Sequence, residues 1–176
     1  MEYKITIAGF GGQGVLFAGK VIANAALSEG YEVSWLPSYG PEMRGGTANC
    51  RIVISDKPVC SPVIKRSDAL IAMNMPSLMK FSDVTDGVII TDERFGKYCE
   101  TSSQLISVNS DICNGGAEHD GLINMIMVGV FAAETGVISI NSLCEAVRHV
   151  AKGSAAERDV AAIEYGAGIR EKRRVS

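Results

Sequence analysis

Short apolar runs separated by helical repeats make up most of this chain. Ile5-Thr6-Ile7-Ala8 reads as a buried strand, and beyond a cluster of glycines Val15, Leu16, Ala18, Val21, Ile22, Ala25 and Ala26 recur at helical spacing. Gly30 stands where a left-handed residue ends a helix, and Tyr31 to Leu36 resumes as a strand. A right-handed crossover sets such a strand parallel to and beside the first, so the opening is expected to be a βαβ unit. Pro37 to Gly46 is dense in turn formers and is expected to be irregular, whereas Ala48 to Ile54 alternates into a third strand.

Ala69 to Met73, Val88 to Thr91 and Leu105 to Val108 are further apolar runs, which suggests a sheet of about six strands. From Leu122 the period changes: Leu122, Met125, Ile126, Gly129, Ala132 and Ala133 share one helical face, and Gly136 ends it. Ser142-x-x-Glu145 and Ser154-x-x-Glu157 have the form of capping boxes, in which the Ser oxygen takes one orphan amide and the Glu another. The expected fold is α/β: a three-layer α/β/α arrangement around a mostly parallel or mixed Rossmann-like sheet, with extra C-terminal helices. With 176 residues, one domain over 1–176 is expected.

A formal net charge of -3 offers no electrostatic basis for nucleic acid or an anionic membrane as partner. The basic end, Arg170, Lys172, Arg173 and Arg174, reads as cations at a helix C-terminus. No apolar run approaches the roughly 20 residues a bilayer needs, and the first residues lack a signal-peptide pattern, so the cytoplasm is expected. Cys50, Cys60, Cys99, Cys113 and Cys144 are scattered without a Cys-x-x-Cys pair, and His119 and His149 are the only imidazoles. No metal site is expected in this chain, and its thiols read as core residues.

Gly9-Phe10-Gly11-Gly12-Gln13-Gly14 follows a strand and opens a helix, so backbone amides there can receive an anion without Cβ obstruction. The same glycines serve equally for a tight turn and close packing. A dinucleotide site also needs an acidic residue at the end of the second strand. That strand ends Trp35-Leu36-Pro37-Ser38, with Glu32 at its start. Gly14 to Lys20 has P-loop spacing, but Val21 replaces the hydroxyl residue that holds magnesium, and the stretch already belongs to a helical face.

In the second loop, Tyr39-Gly40-Pro41 fixes a turn and Gly45-Gly46 permits close backbone approach, leaving Glu42 and Arg44 to project. The guanidinium of Arg44 suits a phosphate, a partner carboxylate or its own neighbour Glu42. Gln13 and Asn124 offer neutral amides to a crevice beyond the strand ends, with an ordinary structural hydrogen bond as the alternative for Asn124.

Together these loops closely resemble the gamma subunits of 2-oxoacid:ferredoxin oxidoreductases, whose hallmark is Gly-Gly-Gln-Gly followed by Tyr-Gly-Pro-Glu-x-Arg-Gly-Gly. The resemblance continues through Arg51 to Asp56, Ser61-Pro62, Asp68 to Met73, Asn74-x-Pro76-Ser77-Leu78 and Gly121-Leu122-x-Asn124-Met125. Glu93 to Ser103 and Cys60 depart from it. The resemblance implies a complex that oxidatively decarboxylates a 2-oxoacid, forms an acyl-CoA from coenzyme A, and passes electrons to ferredoxin. Thiamine diphosphate, magnesium and iron–sulfur clusters would sit in alpha, beta and ferredoxin-like delta partners, because this chain lacks a Gly-Asp-Gly motif and cluster cysteines. This chain would hold no catalytic residue and be inactive alone, contributing to assembly and to the coenzyme A crevice. 2-Oxoglutarate and branched-chain oxoacids lead as substrates, with pyruvate and indolepyruvate open. The rival readings are an independent dinucleotide-binding redox protein and a purely structural scaffold.

Overall fold

The computed structural model describes residues 1–39, 47–109, 122–151, 153 and 155–175, with side chains as far as Ile169, Tyr39 excepted. In chain order the elements are β1 (Glu2–Phe10), α1 (Val15–Ser28), β2 (Glu32–Tyr39), β3 (Thr47–Ser55), β4 (Ser67–Ala72) and α2 (Met75–Phe81). A 3-10 turn (Ser82–Val84) leads to β5 (Thr85–Asp92), α3 (Glu93–Gly96), β6 (Gln104–Val108), α4 (Ile123–Thr135), α5 (Ile140–Val150) and α6 (Ala155–Val175).

The six strands are ordered β2-β3-β1-β4-β5-β6. β1, β4, β5 and β6 run parallel, while β3 is antiparallel to both β1 and β2. The sheet is therefore mixed, and the expected place of β2 beside β1 is corrected: β3 lies between them. Burial decides which strand goes inside. Ile52, Val53 and Ile54 of β3 are hidden on both faces, whereas β2 carries exposed Trp35, Leu36, Pro37 and Ser38. An edge also tolerates Pro37, which has no amide to give to a ladder. For the same reason β2 runs on through Tyr39, so Pro37 and Ser38 are strand and not irregular loop.

α1 ends in a Schellman motif, with Gly30 N donating to Leu27 O (3.0 Å) and Tyr31 N to Ala26 O (3.1 Å). One face of the sheet, through Ile5, Ile7, Ile52, Ile71 and Ile90, packs on α1 and α4, and α5 and α6 pack in turn on those helices. The other, through Ala8, Leu70, Ala72 and Ile89, packs on Leu78 and Phe81 of α2 and on Phe95 of α3. α4 and α6 approach closely. A side chain at Gly129 would strike the Ile163 carbonyl, and one at Gly166 the Ile126 carbonyl.

The cap of α5 lies earlier than the capping box places it. Ser139, not Ser142, is the N-cap, its Oγ accepting from Ser142 N at 3.1 Å, and its own amide donates to Glu29 Oε1 at 2.8 Å. Ile138, just before it, is buried in the core and anchors that start. α6 begins at Ala155. Ser154 lies outside the described residues, and Glu157 accepts from Arg148 Nε (3.0 Å). No helix among the described residues is long and apolar enough to cross a membrane.

Candidate functional site: the glycine rim

The strand directions gather the loops of interest. β1, β2, β4, β5 and β6 all end at one edge of the sheet, where β3 begins, and Phe10 stands opposite Thr47 while Tyr39 stands opposite Ala48. The glycine turn and the segment 40–46 thus leave the sheet from its β1–β3–β2 side at the same rim. Gly40, Pro41, Glu42, Arg44, Gly45 and Gly46 lie outside the described residues, and Tyr39 is described by its backbone alone. Glu32 is at the opposite end of the sheet, facing Ser55, which itself faces Glu2. β2 therefore presents no carboxylate to the turn for holding a ribose.

The turn is built on two left-handed glycines, Gly12 (φ 95°) and Gly14 (φ 74°), and Gly14 is the N-cap of α1. Gly11 and Gly12 are exposed, and Gly12 has open space around it. No side chain caps α1 and no acidic residue occupies its first turn, so its leading amides face the rim without a local acceptor side chain. A helix of this length with uncapped amides attracts a negative or hydrogen-bond-accepting group. The stretch that mimics a P-loop is regular α1 from Val15 onward, as its apolar spacing predicts.

Gln13 is spent inside the protein. Its Oε1 accepts from Phe10 N (2.6 Å) and Asn74 Nδ2 (3.1 Å), and its Nε2 donates to Met73 O (3.0 Å). It ties the end of β1 to the end of β4, where buried Asn74 in turn caps α2 through Ser77 N (2.8 Å). Gly9 must be small for this clamp to close, since an added Cβ would lie 2.8 Å from Gln13 Oε1. The Gly-x-x-x-Gln spacing records that requirement, but the partners Met73 and Asn74 are some sixty residues away and invisible to local pattern.

Asn124 behaves differently. It sits in the first turn of α4 at 7% exposure, and its Nδ2 is the atom a side chain at Gly14 would strike. Among the described residues its Oδ1 is buried without a hydrogen-bond partner. An unsatisfied buried acceptor is costly and uncommon. The structure thus packs the Asn124 amide nitrogen against the glycine turn, while its Oδ1 stays buried.

The rim also carries a pair that sequence reasoning missed. Asp92, buried at the end of β5, caps α3 through Arg94 N (2.8 Å) and receives the Arg94 guanidinium on both oxygens (2.9 and 2.7 Å). An Asp-x-Arg directly after an apolar run is the signal that marks it. Of the thiols, Cys50 and Cys144 are buried, Cys99 is half-buried and Cys60 exposed, while Cys113 lies outside the described residues. Burial pushes Cys50 up to about 12, and its Sγ, which donates to Val15 O (3.7 Å), lies against Gly19, so it is an inert packing residue. No group of three or more His, Cys, Asp or Glu side chains among the described residues is arranged to hold a metal.

Residues 4–169 match the pyruvate ferredoxin/flavodoxin oxidoreductase family. A 2-oxoglutarate synthase subunit KorC from Methanothermobacter marburgensis is 30% identical, with 94% of this chain and 95% of that protein covered. The common gamma subunit of the pyruvate/ketoisovalerate oxidoreductases of Thermococcus kodakarensis is also 30% identical, over 92% of this chain and 93% of that one. A ketoisovalerate oxidoreductase subunit VorA from Methanothermobacter thermautotrophicus reaches 56% identity over 90 residues, 51% of this chain, which spans only 19% of that relative's length. Among solved structures, the gamma subunit of a keto/oxoacid ferredoxin oxidoreductase from Geobacter sulfurreducens superposes with a TM-score of 0.81 at 27% identity, covering 99% of each chain. With the glycine turn at the rim of a sheet that this structure shares, the chain belongs to the pyruvate ferredoxin/flavodoxin oxidoreductase family, as one of its gamma-type members.

Proposed function

We propose that the chain works as the gamma subunit of a multi-subunit 2-oxoacid:ferredoxin oxidoreductase in the cytoplasm, its glycine rim completing a crevice for coenzyme A at a subunit boundary. One observation carries this reading: the uncapped start of α1, with the Asn124 side chain packed against its N-cap Gly14, opens on the rim from which segment 40–46 departs. The amides of that turn suit a phosphate or carboxylate, and Asn124, packed on Gly14, holds the turn in place. Arg44 is the proposed bidentate anchor, with Glu42 as its ion-pair partner when no ligand is present.

The thiamine diphosphate, magnesium and iron–sulfur clusters of such an enzyme do not fit the residues described here, whose thiols are scattered. Bound in alpha, beta and delta sister subunits, those groups would supply the decarboxylation and the path of electrons to ferredoxin. The part left to this chain is to hold coenzyme A and to position it by backbone amides, without a general base or nucleophile of its own. Relatives named for 2-oxoglutarate and for ketoisovalerate favour 2-oxoglutarate or a branched-chain oxoacid as substrate.

The test is reconstitution. The assembled enzyme should reduce an electron acceptor only when given 2-oxoacid and coenzyme A, and this chain alone should reduce none. Arg44→Ala or Asn124→Ala is expected to raise the KM for coenzyme A about tenfold, a loss near 1.4 kcal/mol, with the KM for oxoacid unchanged. Activity of the lone chain would overturn the division of labour. Unaltered coenzyme A saturation in both variants would leave the rim with assembly alone.

A further inference from the structure

Among the described residues, helices cover only one side of the second face of the sheet. α2, the 3-10 turn and α3 pack over β1, β4, β5 and β6, and beyond α2 the outer face of β2 and β3 lies open as a groove of about 290 Å³. Two cross-strand pairs are its floor, Leu36 opposite Arg51 and Ser38 opposite Asn49, and Lys80 with Phe81 at the end of α2 is its wall. A complete third layer would hide this floor, yet Leu36 is 44% exposed.

The chemistry of the groove is mixed in a definite way. Arg51 donates Nη1 to Ile64 O (2.9 Å), and Lys80 Nζ stands 5.3 Å from the Phe81 ring centre. Among the described residues neither cation forms an ion pair. In a chain with a net charge of -3, two such cations beside two apolar side chains select an acidic partner that also brings an apolar group. A lone phosphate would leave Leu36 in water; a peptide covers it while Ser38 and Asn49 satisfy its polar atoms. The floor strands also run straight to the glycine rim, so a segment lying here is continuous with the boundary proposed above.

We propose that this groove docks an extended acidic segment of a sister subunit, carboxylates on Arg51 and Lys80 and an apolar side chain over Leu36 and Phe81. This rests on the reading of the chain as one subunit of an assembly. The experiment compares wild type with Arg51→Glu/Lys80→Glu and, on the opposite face of the sheet, Lys20→Glu, each produced together with the thiamine-bearing subunits. Dissociation of the chain from the complex is measured by analytical ultracentrifugation at two salt concentrations.

The double reversal is expected to weaken association at least tenfold and to flatten its salt dependence, with Lys20→Glu like wild type. Lys80→Glu alone, at an exposed site, repeats the test if Arg51→Glu fails to fold for want of its bond to Ile64. Unchanged association of a folded variant overturns the docking surface and leaves the gamma-subunit reading standing. Unchanged association with a raised KM for coenzyme A also overturns it, assigning the cations to a phosphate. Failure of the wild-type chain to join any thiamine-bearing subunit sinks the reading beneath, and the surface with it.

Discussion

Gly14 and Asn124 are coupled through bare contact, and that coupling can be measured. Gly14→Ala places a side chain at a left-handed φ, a cost of about 1–2 kcal/mol, and adds a collision with Asn124 Nδ2. Urea denaturation should show a loss above about 2 kcal/mol, and Asn124→Ala in the same chain should return the part due to collision but not the part due to φ. Recovery to wild-type stability would mean that the backbone carries no strain there. The glycines themselves were legible in sequence, because a strand, a turn and a helix in order demand them. What Gln13 and Asn124 do was not legible. Both offer the same amide chemistry to a reader, and only the fold brings Met73 and Asn74 to one and nothing to the Oδ1 of the other.

Elements were easiest to read where the chain is apolar on one side and hardest where two strands compete for one place. The periodicity of α1 and its glycine end stand as spacing predicts, whereas α4 is buried all round, Met127, Val128 and Val130 included, and not on one face alone. The order of β2 and β3 does not follow from local pattern, since a crossover helix says that the next strand runs the same way, not that it lies next door. The cap of α5 was misplaced by one turn because Ser139 and Ser142 are equally good caps, and burial of Ile138 chooses between them. At this scale the α4–α6 contact gives the sharpest prediction. Gly129→Val would press against the backbone of Ile163, which cannot rotate away as a side chain does. A loss of about 1–3 kcal/mol or more is expected in urea, and a loss below about 0.5 kcal/mol would show that the helices slide apart freely.

For the whole molecule, alkaline pH probes how well the core is sealed. Burial, with Asp68 adding to it, pushes Tyr3 up to about 12 from an ordinary 10.0, and burial alone does the same to Cys50 from 9.0. Both groups are held neutral by the fold. Their stabilisation is complete below the unfolded values and is lost as pH rises through the window from about 9 to about 12. Unfolding free energies measured from pH 8 to pH 11 should fall, and Tyr3→Phe should flatten the part of the fall above pH 10. A Tyr3→Phe profile as steep as wild type would mean that this ring ionises without opening the fold. The three-layer class was readable from the order of elements, and so was the shared direction of β1 and β2, which end where β3 begins. Which half of the outer layer the described helices leave bare was not, because the lack of a helix over β2 and β3 among the described residues leaves no mark in their own alternation. The placement of β1 has a last consequence, for biosynthesis. Of the sheet's strands the ribosome makes this one before the others, yet it finishes in the middle of the sheet, with Ile5 held between Ile52 and Ala69. Until those residues emerge, a nascent chain carries an apolar strand with both edges open, so the early fragment is the species that chaperones must shelter and the one in which truncation does most harm.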